Sequence, residues 1–233
     1  MAVGADETLG EGTQNQDREA FPQVLFRTAL PPSVAFVNLG ISDATVARAL
    51  GAEVPRAERL HPTLVSVWLN INDLFDGVSA SEYETELGAL VHRLSATGAT
   101  VLVANTPPLD RLPAYLACLD PAHPGPCVSS TPQTVPRPAG LDAAVDAYNA
   151  ATARVVRTEG VVLVDLHAAW LAARAAGREA GLIDPDGFHP NAAGAQLVAA
   201  TFAAALPTAL TGGGAPPTST TSAGGAAGGK PTH

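Results

Sequence analysis

Asp186 stands three residues before His189, with Gly187 and Phe188 between them and Pro190-Asn191 directly after. A glycine inside so short a span lets the carboxylate fold back onto the imidazole. That contact fixes the ring tautomer and stabilises the protonated ring, as the partner of a general base must. Three further motifs carry groups capable of chemistry: Gly4-Ala5-Asp6-Glu7-Thr8-Leu9-Gly10, Asn38-Leu39-Gly40-Ile41-Ser42-Asp43-Ala44-Thr45 and Asn70-Ile71-Asn72-Asp73-Leu74. The other histidines lack such surroundings. His61, His92 and His123 read as loop or surface residues, and His167 as a helix-start residue after Asp165. Glu7 and Glu11 read as solvated loop acids, Asp73 as the organiser of its turn, and Trp68 and Trp170 as core.

The motifs must be positioned by the elements between them. Val34 to Leu39, Thr63 to Leu69, Thr100 to Asn105 and Val161 to Asp165 are near-continuous apolar runs. Such runs suit strands buried on both faces of a parallel sheet. Helical patterns span Glu19 to Ala29, Thr45 to Arg59, Ser81 to Thr97, Leu141 to Glu159 and Asn191 to Leu206. Ser81 with Glu84 forms a plausible capping box, and Asn191 suits an N-cap. The alternation predicts a three-layer α/β/α domain over residues 1–206, with polar motifs gathered at the carboxyl ends of the strands. Only Met1 to Val3 precede the first turn, which predicts that the first strand is truncated and that the natural chain begins upstream.

Composition narrows the function. Of 233 residues, 46% are hydrophobic and 15% charged, and 13 basic residues against 22 acidic ones leave a net charge of −9. Nucleic acids and anionic membranes require clustered cations, so neither is an expected partner. No apolar run reaches the roughly 20 residues of a membrane helix. Residues 106–140 are proline-rich and read as a loop insertion at the top of the sheet. They hold Cys118 and Cys127, expected to form a local disulfide, which implies an extracellular or cell-envelope setting; two unpaired thiols are the alternative. No secretion signal is visible. Residues 207–233 reduce to Gly, Ala, Ser, Thr and Pro and read as a flexible tail.

In order and spacing, the four motifs resemble the sequence blocks of the SGNH (GDSL) hydrolase superfamily over about Val3 to Leu206. The resemblance implies a flavodoxin-like sheet of five parallel strands in the order 2-1-3-4-5. It also implies hydrolysis of small acyl, lipid or acetylated-sugar esters, with no cofactor. On that pattern His189 takes the base, Asp186 its orienter and Asn72 an oxyanion donor, with Gly40 in the oxyanion motif. Two positions depart from it: Asp6 occupies the nucleophilic serine's place, and Asp43 that of an oxyanion glycine. A carboxylate attacks an ester carbonyl poorly, and loss of one oxyanion donor costs on the order of 3 kcal/mol. Serine-type activity is therefore expected to be very weak. Three readings follow: a hydrolase using Asp6 as nucleophile or as base for water, a divalent-cation site of Asp6, Asp43 and His189, and a non-catalytic binding module. Ser42 as a relocated nucleophile has no supporting motif.

Overall fold

The apolar runs pair as a parallel sheet. In the computed structural model, which describes residues 1–120, 122, 125–128 and 135–207, strands β1 (Ala2–Gly4), β2 (Leu64–Trp68), β3 (Thr100–Ala104) and β4 (Val162–Val164) hydrogen-bond in that order. Successive strand residues face opposite sides. Val65, Ser66, Val67 and Trp68 are all buried, so both faces of β2 are covered. The covering helices are α1 (Asp6–Leu9), α2 (Gln16–Glu19), α3 (Phe21–Ala29), α4 (Val46–Leu60), α5 (Ile71–Phe75), α6 (Ala80–Ser95), α7 (Pro113–Leu119), α8 (Pro138–Glu159), α9 (Leu166–Ala175) and α10 (Ala192–Ala204). One group packs α6 between α4 and α8; the other packs α10 on α3 and α9. Phe21 of α3 stacks on Phe202 of α10 at 5.0 Å and meets the Trp68 ring edge-on at 5.7 Å. Trp170 is likewise buried.

Four strands form among the described residues, not five. The run Val34 to Leu39 makes one bridge, Ala2 to Asn38, instead of a strand. Ala2 N–H donates to the Val37 carbonyl and Leu39 N–H to that of Ala2. The Asn38 side chain ties this segment to α1: its Nδ2 donates to the Thr8 carbonyl at 2.6 Å and its Oδ1 accepts from Gly40 N–H at 3.0 Å, while Ile41 N–H donates to the Gly4 carbonyl at 3.0 Å. Gly4 N–H donates not to this segment but to Glu53 Oε2 of α4, at 2.8 Å. Gly4 is also required sterically, because a Cβ there would fall 2.7 Å from the Trp68 carbonyl oxygen.

Helix ends differ in detail from expectation. The α6 cap is Ser79, whose Oγ accepts from Glu82 N–H at 3.2 Å, so the helix starts before the Ser81–Glu84 pair. Glu84 instead grips Arg154 at 2.7 Å. Asn191 caps α10 as expected, accepting from Ala193 and Gly194 N–H. The Cys118–Cys127 disulfide is present. His123 and residues 208–233, with nearly all of the expected tail, lie outside the described residues.

Glu53 is fully buried, and burial pushes its carboxyl up to about 8, only partly offset by the Gly4 N–H bond. Asp73 is pushed up to about 6 and Glu7 to about 7 for the same reason. The folded state thus holds protons that the unfolded chain releases near pH 4.5 or below. The stability these groups contribute is complete at acid pH and is lost as pH rises towards 8. Urea midpoints should fall between pH 5 and pH 8, and Glu53→Gln should remove part of that slope, up to ~1.4 kcal/mol per pH unit. Equal slopes in the two proteins would refute this assignment.

Candidate active site

Asp184-Pro185-Asp186-Gly187 forms a tight turn, with Gly187 N–H donating to the Asp184 carbonyl at 2.9 Å. Proline at the second position and glycine at the fourth suit it, and Gly187 has φ 81. Asp184 N–H donates to the His189 carbonyl at 2.9 Å and closes the loop. Inside it, Asp186 Oδ1 accepts from the N–H groups of Phe188 (2.8 Å) and His189 (3.0 Å). Its Oδ2 lies 2.7 Å from His189 Nδ1. Burial would raise the Asp186 carboxyl, yet these partners hold it below the usual range. Burial would likewise lower His189, but the charges of Glu7, Asp186 and Asp6 and the Asp186 hydrogen bond raise it overall. Nε2 is the ring nitrogen left to exchange protons.

Asp6 opens α1 directly after β1 and is buried. Its Oδ1 accepts from Asp43 N–H at 3.0 Å and lies 2.8 Å from Ser42 Oγ; its Oδ2 accepts from Asn72 Nδ2 at 2.9 Å. Burial alone would raise this carboxyl, but the Asn72, Asp43 and Ser42 bonds hold it below the ordinary carboxylate range. Asp43 takes part through its backbone. It sits at φ 54, a left-handed conformation that glycine adopts freely, and its side chain is exposed. Gly40 N–H is engaged by Asn38 and is not among the Asp6 donors. Asn72 also donates to the Ala44 carbonyl at 3.3 Å. Buried Asp73 accepts from Val46 N–H at 3.0 Å, so it organises the α4 entry as well as its own turn.

Two glutamates read as solvated are not. Glu7 is buried, and Glu11 is half-buried in the site. Glu11 Oε1 lies 2.8 Å from Ser42 Oγ and its Oε2 lies 3.9 Å from His189 Nε2. The sequence signal for Glu11 was its flanking glycines. Gly10, at φ 94, turns the chain back at the end of α1, and at Gly12 a Cβ would come 2.7 Å from His189 Cβ. Asp6, Glu11 and His189 offer ligand atoms within 4.8 Å of one another, a set containing Glu11 where Asp43 was expected. His167 belongs to a separate network, with Nδ1 3.0 Å from the Thr106 carbonyl and N–H donating to Asn105 Oδ1.

These groups floor a cavity of about 870 Å³. Phe75 and Phe188 line it, edge to face at 6.0 Å, together with the apolar Ala114, Pro126, Cys127 and Val128 of the 106–140 segment. Ala114 N–H donates to the Gly187 carbonyl and its own carbonyl accepts from Val128 N–H, both at 3.0 Å. Ser42 does not line the cavity.

Comparisons with known proteins bear on the family and the fold. No curated protein matches the chain in sequence. Among solved structures, the chain is similar to LAE5, an alpha/beta hydrolase enzyme from the metagenome of Lake Arreo (24% identity, TM-score 0.62, covering 88% of this chain and 92% of that one). It is also similar to the psychrotrophic esterase EstA from Pseudoalteromonas sp. (17%, 0.62, 88% and 93%). A third is the lipase/acylhydrolase from Enterococcus faecalis (16%, 0.63, 87% and 92%). At these identities the likeness concerns the fold. The model of the GDSL-like lipase/acylhydrolase family matches residues 2–197, and the chain belongs to that family.

Proposed function

We propose that the protein is a slow hydrolase of small acyl, lipid or acetylated-sugar esters that uses water, not a serine, as nucleophile. The observation that carries this reading is the His189–Asp186 pair at 2.7 Å, facing the Asp6 carboxylate on the floor of an open cavity. Neutral His189 takes a proton from water through Nε2 as the water oxygen attacks the ester carbonyl carbon. Asp186 stabilises the imidazolium. The tetrahedral intermediate then expels the alcohol, which receives that proton, and the acid remains.

Asp6 makes the reaction slow. Its carboxylate sits on Asn72 Nδ2 and Asp43 N–H, the donors that a developing oxyanion would use. Each donor withheld costs about 10² to 10³ in rate. The same occupancy favours a second reading, a binding protein that retains the pocket without turnover. A metal reading has weaker support, because Asp6 already has three hydrogen-bond partners and His189 is drawn towards its protonated, non-ligating form. The parallel bridge from Ala2 to Asn38 supports reading that segment as the counterpart of the second strand in a 2-1-3-4-5 order. The disulfide supports an extracellular or cell-envelope location. No helix among the described residues is long and apolar enough to cross a membrane.

Hydrolysis of p-nitrophenyl acetate should be slow but measurable and should vanish in His189→Ala; no turnover across an ester panel would leave the binding reading. Asp6→Ser alone should raise the rate at least ~100-fold, because it supplies a hydroxyl and frees two donors. Asp43→Gly should add little, since the backbone amide of residue 43 is already in place. A folded Asp6→Ser protein that stays inert sinks this placement of the site. Activity requires neutral His189, so the rate should rise with pH through an inflection above the ordinary imidazole value of 6.5. Asp186→Asn should move that inflection down.

A further inference from the structure

The cavity floor carries an unusual balance of charge. Asp6, Glu11, Asp43, Asp76 and Asp186 all line it, while no lysine or arginine does so among the described residues. The ion pairs these carboxylates make there are with His189 alone, from Asp186 and Glu11. Arg48 donates to the Ser42 carbonyl at 3.1 Å but does not line the cavity. One imidazolium cannot neutralise five carboxylates, so the cavity keeps a negative field even when His189 is protonated. Walls of low polarity focus such a field on whatever enters.

The walls have a matching composition. The Phe75 and Phe188 rings meet edge to face at 6.0 Å, and Phe188 meets the His189 ring edge-on at 4.9 Å. Asp76 follows Phe75 in the chain, and Asp186 accepts from Phe188 N–H. Aromatic faces beside carboxylates hold organic cations well, since ring quadrupole and carboxylate charge both attract a weakly hydrated ammonium. A compact, strongly hydrated ion gains little from the rings.

We propose that this cavity selects esters bearing an organic cation, an alkylammonium group carried on the alcohol or acyl part, over neutral esters of equal shape. Anionic esters are excluded by the same field. The proposal rests on the ester-hydrolysis reading for its substrate bond. The cation preference, however, is a property of the cavity and is measurable without turnover.

Two measurements on the unmodified protein separate these points. The first compares kcat/KM for acetylcholine and its uncharged carbon isostere, 3,3-dimethylbutyl acetate. The charged ester should be favoured by about tenfold at low ionic strength, and the ratio should shrink as salt is added. The second titrates choline chloride calorimetrically. Asp76→Asn and Phe75→Leu should each lower the kcat/KM ratio and weaken choline binding several-fold. Asp76 is exposed, so its replacement is not expected to disturb folding. An equal or inverted ratio for the two esters, with both hydrolysed, overturns the cation preference and leaves the hydrolase reading standing. Choline binding that depends on Asp76, with neither ester hydrolysed, upholds the preference and removes the hydrolase reading. Absence of choline binding overturns the inference whatever the hydrolysis shows, as does a calorimetric response to calcium chloride without one to choline.

Discussion

A buried carboxylate must be compensated or it shifts to its neutral form. Asp6 is compensated by groups from two other parts of the chain, the Ser42-Asp43 loop and Asn72 at the start of α5. Most of the site depends on that convergence. To deliver Asp43 N–H to Asp6, the chain after Leu39 keeps one bond to β1, from Ile41 N–H to the Gly4 carbonyl, while Gly4 N–H is taken by Glu53. To deliver Asn72, α5 must begin three residues after β2, and Asp73 then pins the entry to α4. A serine in place of Asp6 would bring no charge and would leave those donors open. On the proposed reading, the aspartate permanently occupies donors that a transient anion would otherwise use.

Electrostatics explain why His189 keeps its basicity in so enclosed a position. Desolvation works against the imidazolium, while Glu7, Asp186 and Asp6 work for it. Glu7 is the least expected member, because it lies on the buried side of α1 and burial holds it near neutrality at about 7. Around neutral pH the histidine and this glutamate therefore influence one another's protons. On the proposed reading, His189 is a base that works best on the alkaline side of its ordinary range.

The sheet and the His189 loop were legible in the amino-acid order because their physics is local. The apolar runs of β2 and β3 report strands buried on both faces, whereas β4 at the sheet edge leaves Leu163 exposed, and Asp186-Gly187-Phe188-His189 encodes its own turn. The Val34 to Leu39 run misled because apolar composition cannot report that the segment makes a single bridge to β1 and is held by the Asn38 side chain at Thr8 and Gly40. Ser81 with Glu84 misled because Ser79 offers the same cap two residues earlier. Glu7 and Glu11 misled for a deeper reason: an acid in a loop is usually solvated, and only the path set by Gly10 and Gly12 brings Glu11 against His189. Asp43 was expected to act through its side chain, whereas what it gives Asp6 is a backbone amide.

Ala114 joins the outer wall of the cavity to the turn that carries His189, and it does so with peptide groups only, through the Gly187 carbonyl and the Val128 amide. Peptide groups are common to nearly every residue type, so outside the Cys118–Cys127 disulfide the side chains along that wall can vary without removing the link to the imidazole. Ligand preference can drift through successive substitutions in this stretch while the proton-handling apparatus stays registered. That separation gives one scaffold a route to diversify what it accepts.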